Sequence, residues 1–164
     1  MMERRTLGFV VGIAAFVLLD LAVWPLVDAR GLLDLMLLAV VAVAGRTRPG
    51  LAALTGFVLG VLRDAAVPDA FGASALAFAV VGYGVSRLSA GAFEERVAAT
   101  AAVLAIARLV ADVLYVLLAG RLHGTDLLLH LIWWAPLGAI VTTGVGLVVL
   151  RLLPPPADRR RGGR

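Results

Sequence analysis

Ionisable side chains inside apolar stretches are the residues of this chain best placed to do chemistry. The residues in or beside runs that are otherwise apolar are Asp20, Asp34, Arg63, Asp64, Arg108 and Asp112, and all but Arg63 are candidate site residues. A charge within a membrane span costs roughly 2.5–3.5 kcal/mol on insertion scales, so such residues pair, line a binding site or carry protons. Arginine stays charged and cannot relay protons, whereas Arg108 and Asp112 are one helical turn apart and can pair directly. We therefore favour a structural ion-pair network in which Arg108 lies between Asp112 and Asp64, with Asp20 or Asp34 protonated or facing water.

Enzymatic chemistry has little support in the rest of the sequence. Ser74, Ser86 and Ser89 have no histidine and carboxylate at the spacing of a catalytic triad, and His123 and His130 read as solvated or interfacial residues. The chain has no cysteine, which excludes disulfides and thiolate metal sites. It also has no lysine, which excludes a lysine-containing phosphate-binding loop. We predict a non-enzymatic protein without a catalytic, cofactor or metal site.

Small residues form a second pattern, at four-residue spacing. The set is Ala52, Gly56 and Gly60, which lead to Asp64, then Gly138, Thr142 and Gly146, with Gly72 as a further member. Such ridges let the backbone of a neighbouring helix approach closely. We interpret them as packing surfaces within the monomer, and a surface for a partner is the alternative.

The composition places the chain in a lipid bilayer. Of its 164 residues, 62% are hydrophobic and only 16% are charged, against roughly 45–50% apolar and about 25% charged in soluble domains. A 17.1 kDa globule has too little interior for this apolar excess. With about 20 apolar residues per span, six helices fit and a sizeable aqueous catalytic domain does not.

The apolar runs set the predicted helices. They predict an all-α integral membrane protein, a compact bundle of six transmembrane helices over residues 7–24, 32–44, 50–64, 71–88, 97–119 and 127–153. A signal peptide is the alternative for the first run, but that run is longer than the usual apolar region of about 7–15 residues. The Pro/Arg-rich segment 154–164 is predicted to be a disordered cytoplasmic tail.

The arginines predict the orientation. All fifteen basic residues are arginine, and most flank apolar runs, which suits topology signals better than a nucleic-acid surface. A cytoplasmic N-terminus puts eleven arginines inside and two outside, with two in or beside helices. Both termini are then cytoplasmic, which requires an even number of spans. By helical rise, the intramembrane charged residues lie about 16–23 Å from the cytoplasmic edge, in one layer.

Three segments resemble a known family. Residues 56–64 (GFVLGVLRD), 68–76 (PDAFGASAL) and 82–84 (GYG) together resemble the rod shape-determining protein MreD family. Residues 48–50, Asp112 and residues 133–136 also fit, and the likeness spans the chain, with residues 48–84 its distinctive part. The resemblance implies a non-enzymatic scaffold of the bacterial elongation machinery in the inner membrane. It also implies association with the bitopic protein MreC, and through it with MreB, RodA and a class B penicillin-binding transpeptidase.

A transporter subunit is the alternative from another functional class. The substrate-capture component of an energy-coupling-factor vitamin transporter is also a six-helix protein of similar size. It would need longer outer loops with aromatic and polar side chains to form a ligand cup. The predicted outer loops here, residues 25–31, 65–70 and 120–126, are short. This favours the scaffold.

Overall fold

The described part of the chain consists of helices and the turns that join them. The structure is a computed structural model that describes residues 34–66, 71–88, 97–120 and 129–152, with helical positions 12, 14, 15, 17–19 and 22. Within those ranges the chain forms helices and turns and no strand, which confirms the predicted all-α class. The predicted helix over 7–24 lies mostly outside the described residues. Asp20 and the 154–164 segment lie wholly outside them.

Five α-helices have defined bounds. They are α1 (Leu35–Ala44), α2 (Pro49–Ala66), α3 (Ala73–Leu88), α4 (Val97–Ala119) and α5 (Ala135–Leu152), the last preceded by a π-helical turn, His130–Trp134. Among the described residues, three segments are long and apolar enough to cross a membrane: Pro49–Ala66, Ala98–Ala119 and Ile132–Val149. Leu35–Ala44 and Ala73–Leu88 are shorter apolar helices. The count of six spans and the cytoplasmic termini stay predictions.

Helix α1 forms the centre of the described bundle. All ten of its residues are buried, and it contacts α2, α3, α4 and α5. A helix that is apolar on every side is stable only when other helices enclose it. Its side chains form one core with residues of the surrounding helices, among them Phe78 of α3 and Leu104 of α4. The short second apolar run is therefore an interior helix.

The two largest differences from the predicted helix ends have identifiable reasons. The second predicted helix begins at Leu35 rather than at residue 32, because Asp34 has an extended backbone and caps the helix. In the last predicted helix, the regular α-helix begins only at Ala135, after the π-helical turn. Pro136 has no N–H for the carbonyl of Ile132, and losing this bond permits the wider turn.

Candidate functional site

The N-terminus of α1 is buried and is capped by a carboxylate. The Leu37 N–H donates to Asp34 Oδ1 at 2.8 Å, and the Asp34 side chain is only 2% exposed. Ten residues rise about 15 Å, half the thickness of a hydrocarbon core of about 30 Å. By this length alone α1 does not span such a core, and the free N–H groups of its buried N-terminus must be satisfied within the protein. Asp34 does this for α1.

Two arginines neutralise the buried carboxylate. Arg108 Nη1 of α4 donates to Asp34 Oδ2 at 2.7 Å, and Arg63 Nη1 of α2 donates to the same oxygen. Arg108 is 4% exposed, and Arg63 is 19% exposed. A carboxylate removed from water needs close countercharges, since its desolvation is otherwise uncompensated. The cap of α1 thereby ties together three helices.

The carboxylate of Asp112 balances the charge of Arg108. Arg108 Nη2 lies 3.0 Å from Asp112 Oδ1, one turn further along α4. The guanidinium of Arg63 lies over the ring of Phe78, 5.4 Å from its centroid, which adds a cation–π contact. We call Asp34, Arg63, Arg108 and Asp112 the buried ion-pair network. Two positive and two negative side chains make the network neutral. Its ion pairs hold the helices together.

Asp64 lies elsewhere, which corrects the predicted pairing with Arg108. Its carboxylate accepts backbone N–H groups from Gly72 at 2.8 Å, Ala75 at 3.2 Å and Ser74 at 3.3 Å. These N–H groups lie at the start of α3, where they have no acceptor within the helix, and the Asp64 carboxylate supplies one. Its negative charge also interacts favourably with the dipole of α3. Asp64 is 3% exposed, and it attaches the end of α2 to the beginning of α3.

Asp34, rather than Asp64, lies beside Arg108. It is buried and paired with arginine, so the prediction that it faces water is wrong. Arg63 was not among the predicted site residues. Its position in or beside a predicted helix was the available signal, because the predicted network set four carboxylates against Arg108 alone.

The small residues of α2 face α3. Ala52, Gly56 and Gly60 are buried. A Cβ added at Gly56 would lie 2.1 Å from the Phe78 carbonyl oxygen, and one added at Gly60 would lie 2.4 Å from the Ala75 Cα. Backbone therefore packs directly on backbone between these helices, an approach that only glycine allows.

Gly82 of α3 belongs to the same contact, although it was not among the predicted ridge residues. A Cβ on Gly82 would lie 2.5 Å from the Ala52 carbonyl oxygen. Gly72 differs from these positions, since a Cβ there would meet no atom within 4 Å. Its φ of +96° is the reason for glycine, because this backbone conformation strains any L side chain.

The small residues of the last helix also face inward. Gly138, Thr142 and Gly146 are all buried. A Cβ on Gly146 would lie 2.6 Å from Leu38 Cδ2 and 2.9 Å from Leu104 Cδ1. This face of α5 therefore packs on α1 and α4. Both ridges lie inside the described bundle.

No group of three or more histidine, aspartate or glutamate side chains that could hold a metal ion occurs among the described residues. There, carboxylates contact arginine side chains or backbone N–H groups. The arrangement holds helix ends in place within a low-dielectric interior, where such contacts are strongest.

Comparison with known proteins identifies the family. The comparisons with curated proteins and with solved structures give no match. The family model described as rod shape-determining protein MreD matches residues 3–150, which is most of the chain. That family consists of structural proteins that determine cell shape, and residues 3–150 include the three described segments that are long and apolar enough to cross a membrane. The chain belongs to the MreD family of rod shape-determining membrane proteins.

Proposed function

We propose that this protein is a non-enzymatic scaffold of the bacterial cell-elongation machinery, in the cytoplasmic membrane. Its membership of the MreD family supports this role. It spans the membrane six times with both termini in the cytoplasm and binds an MreC-like bitopic protein. Through that partner it associates with MreB, RodA and a class B penicillin-binding transpeptidase, which together direct peptidoglycan synthesis.

The contacts of the buried carboxylates are the observation that best supports the proposal. Each of the three described carboxylates, Asp34, Asp64 and Asp112, contacts either an arginine or a helix N-terminus. Intramembrane charge usually marks a transport path or a binding site. Here the contacts attach helices to one another, which supports a structural role and disfavours a ligand-binding role for these residues.

The outward faces of the helices are apolar and suit contacts inside the bilayer. On α2 the exposed residues include Leu54 and Phe57, and near the start of α5 they include Trp133 and Trp134. On α5 itself, Ile140 is 70% exposed. A scaffold with little mass outside the membrane binds its partners chiefly through such faces, since they pack against lipid or against the helix of another protein.

Co-purification of the full-length chain with a co-expressed MreC-like protein in mild detergent tests the proposal. We expect a stable complex, and we expect the same gene to restore rod shape in cells that lack their own copy. Gly84→Ala serves as the control and should behave like the unaltered protein, because a Cβ added there would meet no atom within 4 Å. Recovery of an ATPase with its transmembrane partner, in place of the MreC-like protein, would instead identify a transporter subunit.

A further inference from the structure

A second group of arginines lies at the opposite end of α1 from the buried ion-pair network. Arg46 and Arg48 are in the turn that follows α1, and Arg87 is in the last turn of α3. The Ser86 hydroxyl donates to the Thr47 carbonyl oxygen at 2.7 Å, which holds the end of α3 against this turn. The three arginines therefore lie at one end of the bundle. By the rise of α1, this end is about 15 Å from Asp34.

In the part of the chain that the structure describes, no carboxylate forms an ion pair with Arg48 or Arg87. Asp34 and Asp112 are engaged with arginines of the network, and Asp64 is engaged with the start of α3. These three are the only acidic side chains among the described residues. Arg46 donates to the Ala42 carbonyl oxygen at the end of α1, whereas Arg48 and Arg87 are exposed.

Tyr83 holds the guanidinium of Arg87 in a defined position. Arg87 Nη2 and Nε donate to the Tyr83 hydroxyl oxygen at 3.0 and 3.2 Å, and the guanidinium lies 5.5 Å from the ring centroid. These bonds use the side edge of the guanidinium and leave the edge formed by Nη1 and Nη2 pointing away from Tyr83. That edge matches two oxygens of a phosphate. Tyr83 is itself 45% exposed, as is typical of an aromatic residue at a membrane surface.

We propose that Arg87, positioned by Tyr83, and Arg48 form a binding site for the phosphate of an anionic phospholipid. The exposed apolar side chains of α3 near this end, such as Val80 and Leu88, would contact the acyl chains. Basic groups between helices at the membrane surface bind anionic headgroups in this way. The site is independent of the scaffold role, because it rests on the contacts of α3 and the 45–48 turn alone.

Native mass spectrometry of the full-length protein tests this site. The protein is released from mixed micelles that contain equal amounts of phosphatidylglycerol and phosphatidylcholine, and the retained lipids are counted. We expect preferential retention of phosphatidylglycerol. Arg87→Gln and Arg48→Gln should each lower the affinity about five-fold, as expected for one cation at an anionic surface. Tyr83→Phe, which removes the hydroxyl acceptor and keeps the ring, should give a smaller loss in the same direction.

Controls separate a built site from general attraction between charges. Arg159→Gln removes one positive charge from the C-terminal segment and should leave retention unchanged. Inorganic phosphate added in excess should not displace the lipid, because it offers no acyl chains. Equal retention of the two lipids, an Arg159→Gln effect as large as that of Arg87→Gln, or displacement by inorganic phosphate would each overturn the proposal.

Discussion

Arg108 and Asp34 are 74 positions apart in the sequence, yet Arg108 Nη1 donates to Asp34 Oδ2 at 2.7 Å within the bundle. The contact follows from a sequence of requirements. The buried start of α1 needs a cap, the buried capping carboxylate needs cations, and the second cation needs another carboxylate. The network therefore closes at Asp112 with no net charge.

The neutrality of this network gives a test by single and double substitution. Arg108→Met should destabilise the protein by about 3–5 kcal/mol, because it leaves Asp112 without its arginine and Asp34 with one cation fewer. Adding Asp112→Leu should restore part of that loss, since the remaining Arg63–Asp34 pair is again neutral. The measurement is unfolding in detergent, followed by circular dichroism. A double variant less stable than Arg108→Met would contradict the network.

The cap on α3 predicts a graded response at Asp64. Asp64→Asn retains one acceptor oxygen for the three N–H groups, whereas Asp64→Leu retains none. We expect the asparagine variant to lose about 1–2 kcal/mol and the leucine variant more than about 3 kcal/mol. Cell-shape complementation should fall in the same order. If Asp64→Asn abolished activity with unchanged stability, Asp64 would be a ligand contact, as the transporter alternative requires.

Close packing of α2 on α3 predicts which glycines tolerate a methyl group. Gly60→Ala places a Cβ 2.4 Å from the Ala75 Cα, so the helices must separate, at a cost of about 1–3 kcal/mol. Gly60→Leu should lower abundance and partner binding while membrane insertion is retained, because hydrophobicity rises. Gly84→Ala has open space and should leave thermal stability unchanged or slightly higher. Equal stability of Gly60→Ala and Gly84→Ala would show that the backbones of α2 and α3 are not in close contact at Gly60.

Single cysteines can establish the topology, because the native chain has none. A membrane-impermeant thiol reagent applied to intact cells should label cysteines at Asp69 and Gly124. It should not label cysteines at Arg48, Ser89 and Ala157 until the membrane is opened. The unequal distribution of arginines is the reason. Labelling at Ala157 from outside would mean an odd number of spans.

The sequence by itself determined the class of the protein. Apolar content in excess of what a small globule can bury, charges confined to short segments and small residues every four positions are local properties. They were enough to predict an all-helical membrane protein, to locate most described helix ends within a few residues and to indicate the family. Arg108 and Asp112 could be paired because one helical turn separates them.

Only the tertiary structure decided which distant charges meet. Helical rise predicted that Asp34 and Asp64 have similar depths, but depth carries no information about direction around the bundle. Asp64 follows the ridge of α2 that faces α3, so it reaches the start of α3. Asp34 begins the enclosed helix and so lies among the arginines of α2 and α4. The arrangement of helices around α1 sets these directions, and it depends on packing between segments far apart in the chain.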